Sequence, residues 1–362
     1  MSGKLSTTDS GLGADSSADS SKDTAPVRPG EELLLDNLSK YLEGILPHDT
    51  TALQLQQFPG GHSNLTYLLR IGQQEYVLRR GPLGPVAPKA HDMAREFRIL
   101  KSIHPHFQPA PNVYLLCEDL AVLGCVFFIM ERRQGEIIRD SVPPQFQTVP
   151  DFPGLISRAF IDCLATLHSV DISTPELALL GKPHGFLERQ VKGWTERWHR
   201  AQTTPLPGMD RIIHWLTNGI PNPLAPTLVH NDFKLDNMMF QFDDPSRVAA
   251  VLDWEMTTIG DPLVDLGLTL CYWQLGSISS LGKDAGLYNR AQFLAHYETK
   301  TGRDLSNIRW YEILGIFKLA VILQQIYFRY HQGQTKDERF AHFDVRVAAL
   351  VNSAMGLLEE TS

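Results

Sequence analysis

The residues with the most chemical promise lie in one eight-residue run, His230-Asn231-Asp232-Phe233-Lys234-Leu235-Asp236-Asn237. It follows the apolar stretch Thr227-Leu228-Val229 and precedes the apolar pair Met238-Met239. Sixteen residues after Asn237 comes Asp253-Trp254-Glu255, again behind an apolar run, Val248 to Leu252. Short apolar runs ending in acidic clusters predict strands whose loops carry carboxylates on a rigid base. Phosphoryl transfer needs this set of parts. One carboxylate orients the attacking hydroxyl and accepts its proton, while an amide oxygen and a second carboxylate hold the metal ions that bridge nucleotide phosphates.

The elements that position these residues follow from periodicity. Leu33, Leu34, Leu38, Tyr41, Leu42 and Ile45 repeat at helical spacing. Leu53–Phe58, Leu65–Ile71 and Glu75–Arg79 read as strands, with Gly72-Gln73-Gln74 as a turn. Residues 92–103 form an amphipathic helix with Met93, Phe97, Leu100 and Ile103 on one face. Val113–Cys117 and Val126–Met130 are two more strands. This order suggests a small α+β lobe on an antiparallel sheet. After Gly135 the pattern turns helical: 155–168, 187–200, 209–218 and nearly everything from 263 to 359. The expected organisation is a tail over residues 1–28, an N-lobe over 29–134 and a larger, mainly helical C-lobe over 135–362. Residues 1–28 hold almost no large apolar side chains, too few to offset the entropy of ordering, so a disordered tail is expected.

Composition narrows the class. The chain of 362 residues is 43% hydrophobic with a net charge of −8. It is ordinary for a globular protein and argues against nucleic acid as the main partner, which needs basic surface. Cys117, Cys125, Cys163 and Cys271 form no Cys-x-x-Cys pair and read as free thiols of a reducing cytoplasm. The N-terminus has no apolar signal core. The stretch Ile313–Ile326 is broken by Lys318, Gln324 and Gln325, so a buried helix and no membrane span is expected. Oligomeric state is not legible.

The pattern His230-x-Asp232-x-x-x-x-Asn237, followed by a strand and Asp253, resembles the catalytic and metal-binding loops of the protein-kinase-like fold. Its small-molecule branch, the aminoglycoside and choline kinase-like phosphotransferases, is the better match. There the metal loop commonly reads Asp-Trp-Glu, as Asp253-Trp254-Glu255 does here. Thr258-Ile259-Gly260-Asp261-Pro262 and Asp265-Leu266 continue the likeness. The run from Phe58 to Tyr67 and Val77-Leu78-Arg79-Arg80 are similar to the phosphotransferase module fused to acyl-CoA dehydrogenases. The resemblance implies a bilobal α+β fold and transfer from ATP, with Mg²⁺, to a hydroxyl of a small molecule. It implies Asp232 as catalytic base, Lys234 as a charge near the transferring group, and His230 as a brace of the loop. Asn237 and Asp253 become metal ligands. Asp261 and Asp265 hold the backbone around the catalytic loop. Glu255 either braces its loop or faces a metal or substrate.

The same resemblance places the nucleotide on the N-lobe. Gly60, Gly61, Ser63 and Asn64 form a turn whose backbone can approach phosphates closely. The usual strand Lys is replaced, and alternation puts Arg79 on the face of Val77, so Arg79 is assigned to the phosphates with Glu96 as its ion-pair partner. Glu131, Arg132 and Arg133, at the end of an apolar strand, are candidates for the adenine edge. On the acceptor side, Arg189, Trp194 and Arg197 are read as one helical face, suited to an anionic or acyl substrate or else to packing, with Tyr272 and Trp273 bordering the pocket. A hydroxy acid or hydroxyacyl-CoA is the expected acceptor. An aminoglycoside or choline-type kinase, and a catalytically silent nucleotide-binding protein of the same fold, are the alternatives.

Overall fold

A computed structural model describes residues 23–46, 53–59, 64–82, 92–139, 141–274 and 286–360. The chain divides into two units, one of residues 1–93 and 115–130, the other of 94–114 and 131–362.

The first unit is built on an antiparallel sheet. Its strands are β1 (Gln54–Gln57), β2 (Leu65–Ile71), β3 (Gln74–Arg80), β4 (Val113–Cys117) and β5 (Phe127–Glu131), in the order β1-β2-β3-β5-β4. Gly72, with φ of +60°, turns β2 into β3 and sets Ile71 opposite Gln74. Alternation sends Tyr67, Leu69 and Ile71 of β2 and Tyr76 and Leu78 of β3 into one core with Leu38 and Leu42 of α1 (Leu35–Leu42). Leu34 and Ile45, which the helical spacing grouped with this face, are exposed. The expected tail is too long. Ala25 pairs with Gln57 on the edge of β1 through two backbone hydrogen bonds of 2.8 Å, and Arg28 donates its amide to Gln57 Oε1. An edge strand offers backbone partners that require no apolar side chain, so composition did not reveal this docking. Residues 1–22 lie outside the described residues.

The second unit includes α2 (Met93–Ile103) from Ala94 onward and the chain to Tyr114, which the sequence reading had given to the N-lobe. The reason is specific contact. Arg95 donates to the carbonyls of Glu255 and Thr257, Phe107 packs on Trp254, and Val251 donates to Pro109 O. The other helices are α4 (Phe152–Leu167), α5 (Pro175–Ala178), α6 (Phe186–Ala201), α7 (Pro207–Asn218), α8 (Leu263–Gln274), α9 (Arg290–Thr301), α10 (Ile308–His331) and α11 (Phe343–Glu359), after the short α3 (Leu120–Leu123) of the first unit. Two small sheets carry the loops of interest: β6 (Glu136–Ile137), β8 (Met238–Phe240) and β9 (Val248–Val251) in one, β7 (Thr227–Val229) and β10 (Thr258–Gly260) in the other.

Helix α10 is longer than the sequence suggested. Its 24 residues have the length and apolarity of a membrane span, yet 67% of that window is buried inside the protein. It packs against α6, α7, α8 and α11. At the crossing with α8 the backbones touch. A Cβ on Gly267 would overlap the carbonyl of Tyr311, and one on Gly315 would lie 2.8 Å from Gly267 O. Only glycine allows this approach, and it sets the spacing between side chains of α8 and α10. Gly267→Ala should therefore overpack the crossing and destabilise the protein by about 1–3 kcal/mol, measurable as a lower midpoint in urea.

Candidate active site

The first acidic loop joins β7 to β8 and the second joins β9 to β10. β7 pairs antiparallel with β10 and β8 with β9, and Leu252 donates its amide to Asn237 O at 2.8 Å. This ladder sets the end of the 230–237 loop beside Asp253.

The start of the loop is pinned from α8. Asp265 Oδ2 accepts the amide of His230 and Oδ1 the amide of Asn231, each at 2.6 Å. The buried imidazole of His168 completes the set through Nε2, and Tyr297 meets its other nitrogen. Burial alone would raise the Asp265 pKa, but the bond and charge of His168, with His230 beyond it, hold the carboxyl below its ordinary range. Asn231 has φ of +67° and Asp253 +66°, left-handed conformations that these two residue types tolerate best after glycine. Asn231 is held there by its amide bond to Asp265, by Nδ2 donating to Met256 O, and by Lys318 Nζ donating to Oδ1 at 3.2 Å.

Asp232 then projects into a ring of donors. Its Oδ2 accepts Lys234 Nζ and Asn237 Nδ2, both at 2.8 Å, and Oδ1 accepts the Tyr272 hydroxyl at 3.0 Å. Lys234 also lies 5.3 Å from the centre of the Tyr272 ring. Burial, then the charge of Asp232, drives the Tyr272 pKa far up, so the phenol stays a donor. His230 is wholly buried. Its Nε2 donates to Leu252 O at 3.1 Å and its Nδ1 accepts the Asp232 amide, which defines the tautomer.

Because Asn237 Nδ2 is committed to Asp232, Oδ1 is its acceptor for a cation. A hard divalent ion such as Mg²⁺ takes oxygen donors, and an amide oxygen from Asn237 with a carboxylate from Asp253 are of that chemistry. Among the described residues no group of three or more His, Cys, Asp or Glu side chains converges into a cage. The donor set fits an ion that shares its coordination with a bound ligand.

The remaining sequence candidates have mixed outcomes. Gly60, Gly61 and Ser63 lie outside the described residues, and Asn64 is buried just before β2. Arg79 belongs to the first unit, on the strand face opposite Tyr76 and Leu78 as alternation required, while Glu96 is buried in the first turn of α2 in the second unit. The Glu131 amide and carboxylate are both committed to the backbone of Asn112, and Arg133 pairs with Glu131 and donates to Gln108 O. Arg132 donates to Arg133 O. These side chains brace the segment before β4. Glu255 presents its carbonyl to Arg95, so its backbone at least braces the loop.

Arg189 is corrected. It turns back on the loop before α6 and donates to the carbonyls of His184 and Lys182. Five residues rotate about 140° around a helix, so Arg189 does not share a face with Trp194, whereas Arg197, three residues on, stacks over that ring at 4.7 Å. Trp273 donates its Nε1 to Tyr288 O and packs its ring on Phe160 and Phe293. Sequence reasoning missed Arg95, His168 and Lys318. Lys318 was legible only as a charge interrupting an apolar helix, although such a charge is rarely buried without a reason.

A protein from Ralstonia eutropha JMP134, described as a "putative aminoglycoside phosphotransferase", has a solved structure similar to this one with a TM-score of 0.80 at 29% identity, covering 91% of this chain and 99% of that one. A thermostable mutant of aminoglycoside phosphotransferase APH(4)-Ia shares the fold with a TM-score of 0.58 at 18% identity, over 89% of this chain and all of that one. Fold and loops together define a small-molecule phosphotransferase of protein-kinase-like architecture. The model of the phosphotransferase enzyme family matches residues 54–311, and the chain belongs to that family. It is also 36% identical over 321 residues to mouse acyl-CoA dehydrogenase family member 10 and 36% identical over 334 residues to mouse family member 11. Those matches cover 86% and 88% of this chain, which spans only 30% and 42% of the two relatives.

Burial lowers the Lys318 pKa to about 8, with Asp265 and Asp232 opposing the shift and Arg197 adding to it. A depressed lysine pKa penalises the folded state fully below about pH 8, and the penalty fades as pH rises toward the unfolded value. Lys318→Met should therefore match or exceed the parent in Tm at pH 7. Its relative advantage should shrink between pH 8 and pH 10, as read by thermal melts of both proteins.

Proposed function

We propose that the chain transfers the terminal phosphoryl group of ATP, with Mg²⁺, to a hydroxyl of a small metabolite, a hydroxy acid or hydroxyacyl-CoA. The observation that carries this reading is the Asp232 carboxylate, ringed by Lys234, Asn237 and Tyr272 and adjacent through the Asn237–Leu252 bond to Asp253. APH(4)-Ia, of the same fold, has been solved with AMP-PNP and hygromycin B, which supports a nucleotide as donor. The acyl-CoA dehydrogenase relatives support an acyl acceptor.

In this mechanism the acceptor hydroxyl displaces Lys234 from Oδ2 of Asp232. As the new O–P bond forms and the bond to the leaving ADP oxygen breaks, the hydroxyl proton passes to Asp232. Tyr272 keeps the other carboxylate oxygen oriented. Lys234, released toward the phosphoryl oxygens, balances their negative charge. Asn237 and Asp253 would hold Mg²⁺, whose chemistry here is neutralisation of phosphate charge. Nucleotide contacts are assigned, on the sequence pattern, to Gly60, Gly61, Ser63, Asn64 and Arg79, with Glu96 as the partner of Arg79 and the backbone of 131–133 at the base.

The likeness to aminoglycoside phosphotransferases favours a cationic acceptor as a second reading, but Lys318, bonded to Asn231 of the loop, works against a polycation. Asp232→Asn should lower turnover by at least about a thousandfold and leave nucleotide affinity near the parent value, in paired kinetic and calorimetric assays. Asp253→Ala should lose Mg²⁺-dependent nucleotide binding, and unchanged Mg-ATP affinity by calorimetry would remove the metal assignment. A panel of hydroxy acids, hydroxyacyl-CoAs, choline and aminoglycosides, assayed for ATP-dependent phosphorylation, decides the acceptor class. Nucleotide binding without turnover on any of them would leave a silent binding protein.

A further inference from the structure

Helix α10 carries Lys318 within a continuous buried run, Ile316 to Val321, and leaves it 2% exposed. Among the described residues its ammonium has one hydrogen bond, to the neutral Asn231 Oδ1. It also lies 5.7 Å from the centre of the Trp194 ring. The guanidinium of Arg197 lies over the same ring, laid across Gly193, where a Cβ would come within 3.3 Å of Nη1. Two cations thus share one aromatic side chain.

A buried ammonium is costly unless a negative charge compensates it. The carboxylates that act on Lys318 are Asp265 and Asp232. Each is already engaged, Asp265 by His168 and two amides, Asp232 by Lys234, Asn237 and Tyr272. No salt bridge to Lys318 or Arg197 forms among the described residues. The buried Lys318 is not explained by the loop's own architecture, since a neutral donor would hold Asn231 as well, while Arg197 is exposed on α6 over the same Trp194 ring.

We propose that Lys318, Arg197 and the face of Trp194 form an acceptor subsite for an anionic group, a carboxylate on the same molecule whose hydroxyl Asp232 orients. The inference deepens the phosphotransferase reading and rests on it for the role of Asp232. Lys318 has ammonium hydrogens beyond the one given to Asn231, and the Arg197 fork matches a carboxylate edge. The Trp194 ring offers a flat apolar wall to the carbon chain between the two functional groups. Asn231, bonded to Lys318, immediately precedes Asp232, so the ligand the subsite requires is a hydroxycarboxylate whose two groups span Lys318 and Asp232. A free carboxylate is selected over a neutral ester or thioester, and polycations are rejected by charge.

The test is calorimetric binding of hydroxybutyrate isomers, their methyl esters and CoA thioesters, and the matching butanediols to the full chain with AMP-PNP and Mg²⁺. The parent protein, Lys318→Met and Arg197→Met are compared. The parent should bind at least one hydroxybutyrate tenfold or more tightly than its ester, thioester and diol. Each variant should lose at least tenfold for the acid and little for the neutral analogues, and Lys318→Arg should recover part of the loss. Thermal melts of the same samples confirm folding, and methionine at position 318 keeps the volume of the side chain. Undetectable binding of the acids, equal binding of acid and neutral analogues, or acid affinity unchanged in the folded variants overturns the proposal. Because binding is read without turnover, charge-dependent binding that persists when no phosphorylation is found would sink the catalytic reading and leave the anion subsite standing.

Discussion

The 230–237 loop hangs on one carboxylate. Asp265 collects the amides of His230 and Asn231 at 2.6 Å each, and the His168 imidazole holds it in place from behind. Two adjacent amides can converge on one side chain only if the chain turns sharply between them. Asn231 makes that turn in the left-handed region. The turn lifts Asp232 out of the strand direction and into the ring formed by Lys234, Asn237 and Tyr272. Charge-assisted bonds to backbone amides are short and strong, and in a buried setting they are weakly screened. The strained turn is therefore over-determined by its surroundings, as such turns at functional sites must be.

That carboxylate is itself placed by packing. Asp265 and Tyr272 sit on α8, Lys318 on α10, and the two helices meet backbone to backbone at Gly267 and Gly315. A looser crossing would move Lys318 away from Asn231 and Tyr272 away from Asp232. The apolar length of α10, which by composition resembles a membrane span, serves this packing: its buried face is covered by α6, α8 and α11. The arrangement of charge follows from the same geometry. The chain as a whole is acidic at −8, yet Lys234 pairs with Asp232, Lys318 bonds the neighbouring Asn231, and Arg197 lies over the Trp194 ring that Lys318 also faces. Net charge describes the solvated surface, whereas ligand choice is set by a few groups at short range where screening is weak.

Much of this was legible in the sequence because it is local. Strand ends, the two acidic loops and the alternation that separates Arg79 from Leu78 depend on residues close together in the chain. In α6, proximity in the sequence is not a shared face. Trp194 and Arg197 do stack, and Arg189, five residues back, points to its own loop. The docking of residues 24–28 on β1 escaped because backbone pairing leaves no apolar signature. Helix α2 was given to the N-lobe from its place in the chain, and Arg95 and Phe107 attach it to the 253–257 loop.

By itself the sequence determined the family and the chemistry, because a base, an amide and a second carboxylate at fixed spacing have few other uses. It also determined which strands carry them, since apolar runs of this length end where the loops begin. Only the tertiary structure decided the partners of those groups. His168 lies 97 residues from Asp265, Lys318 lies 87 from Asn231, and Tyr272 lies 40 from Asp232. Interactions over such separations exist only once helices have packed. No local periodicity encodes the depth at which a lysine on an apolar helix comes to rest, and that depth is what turns Lys318 from an interruption into part of the site.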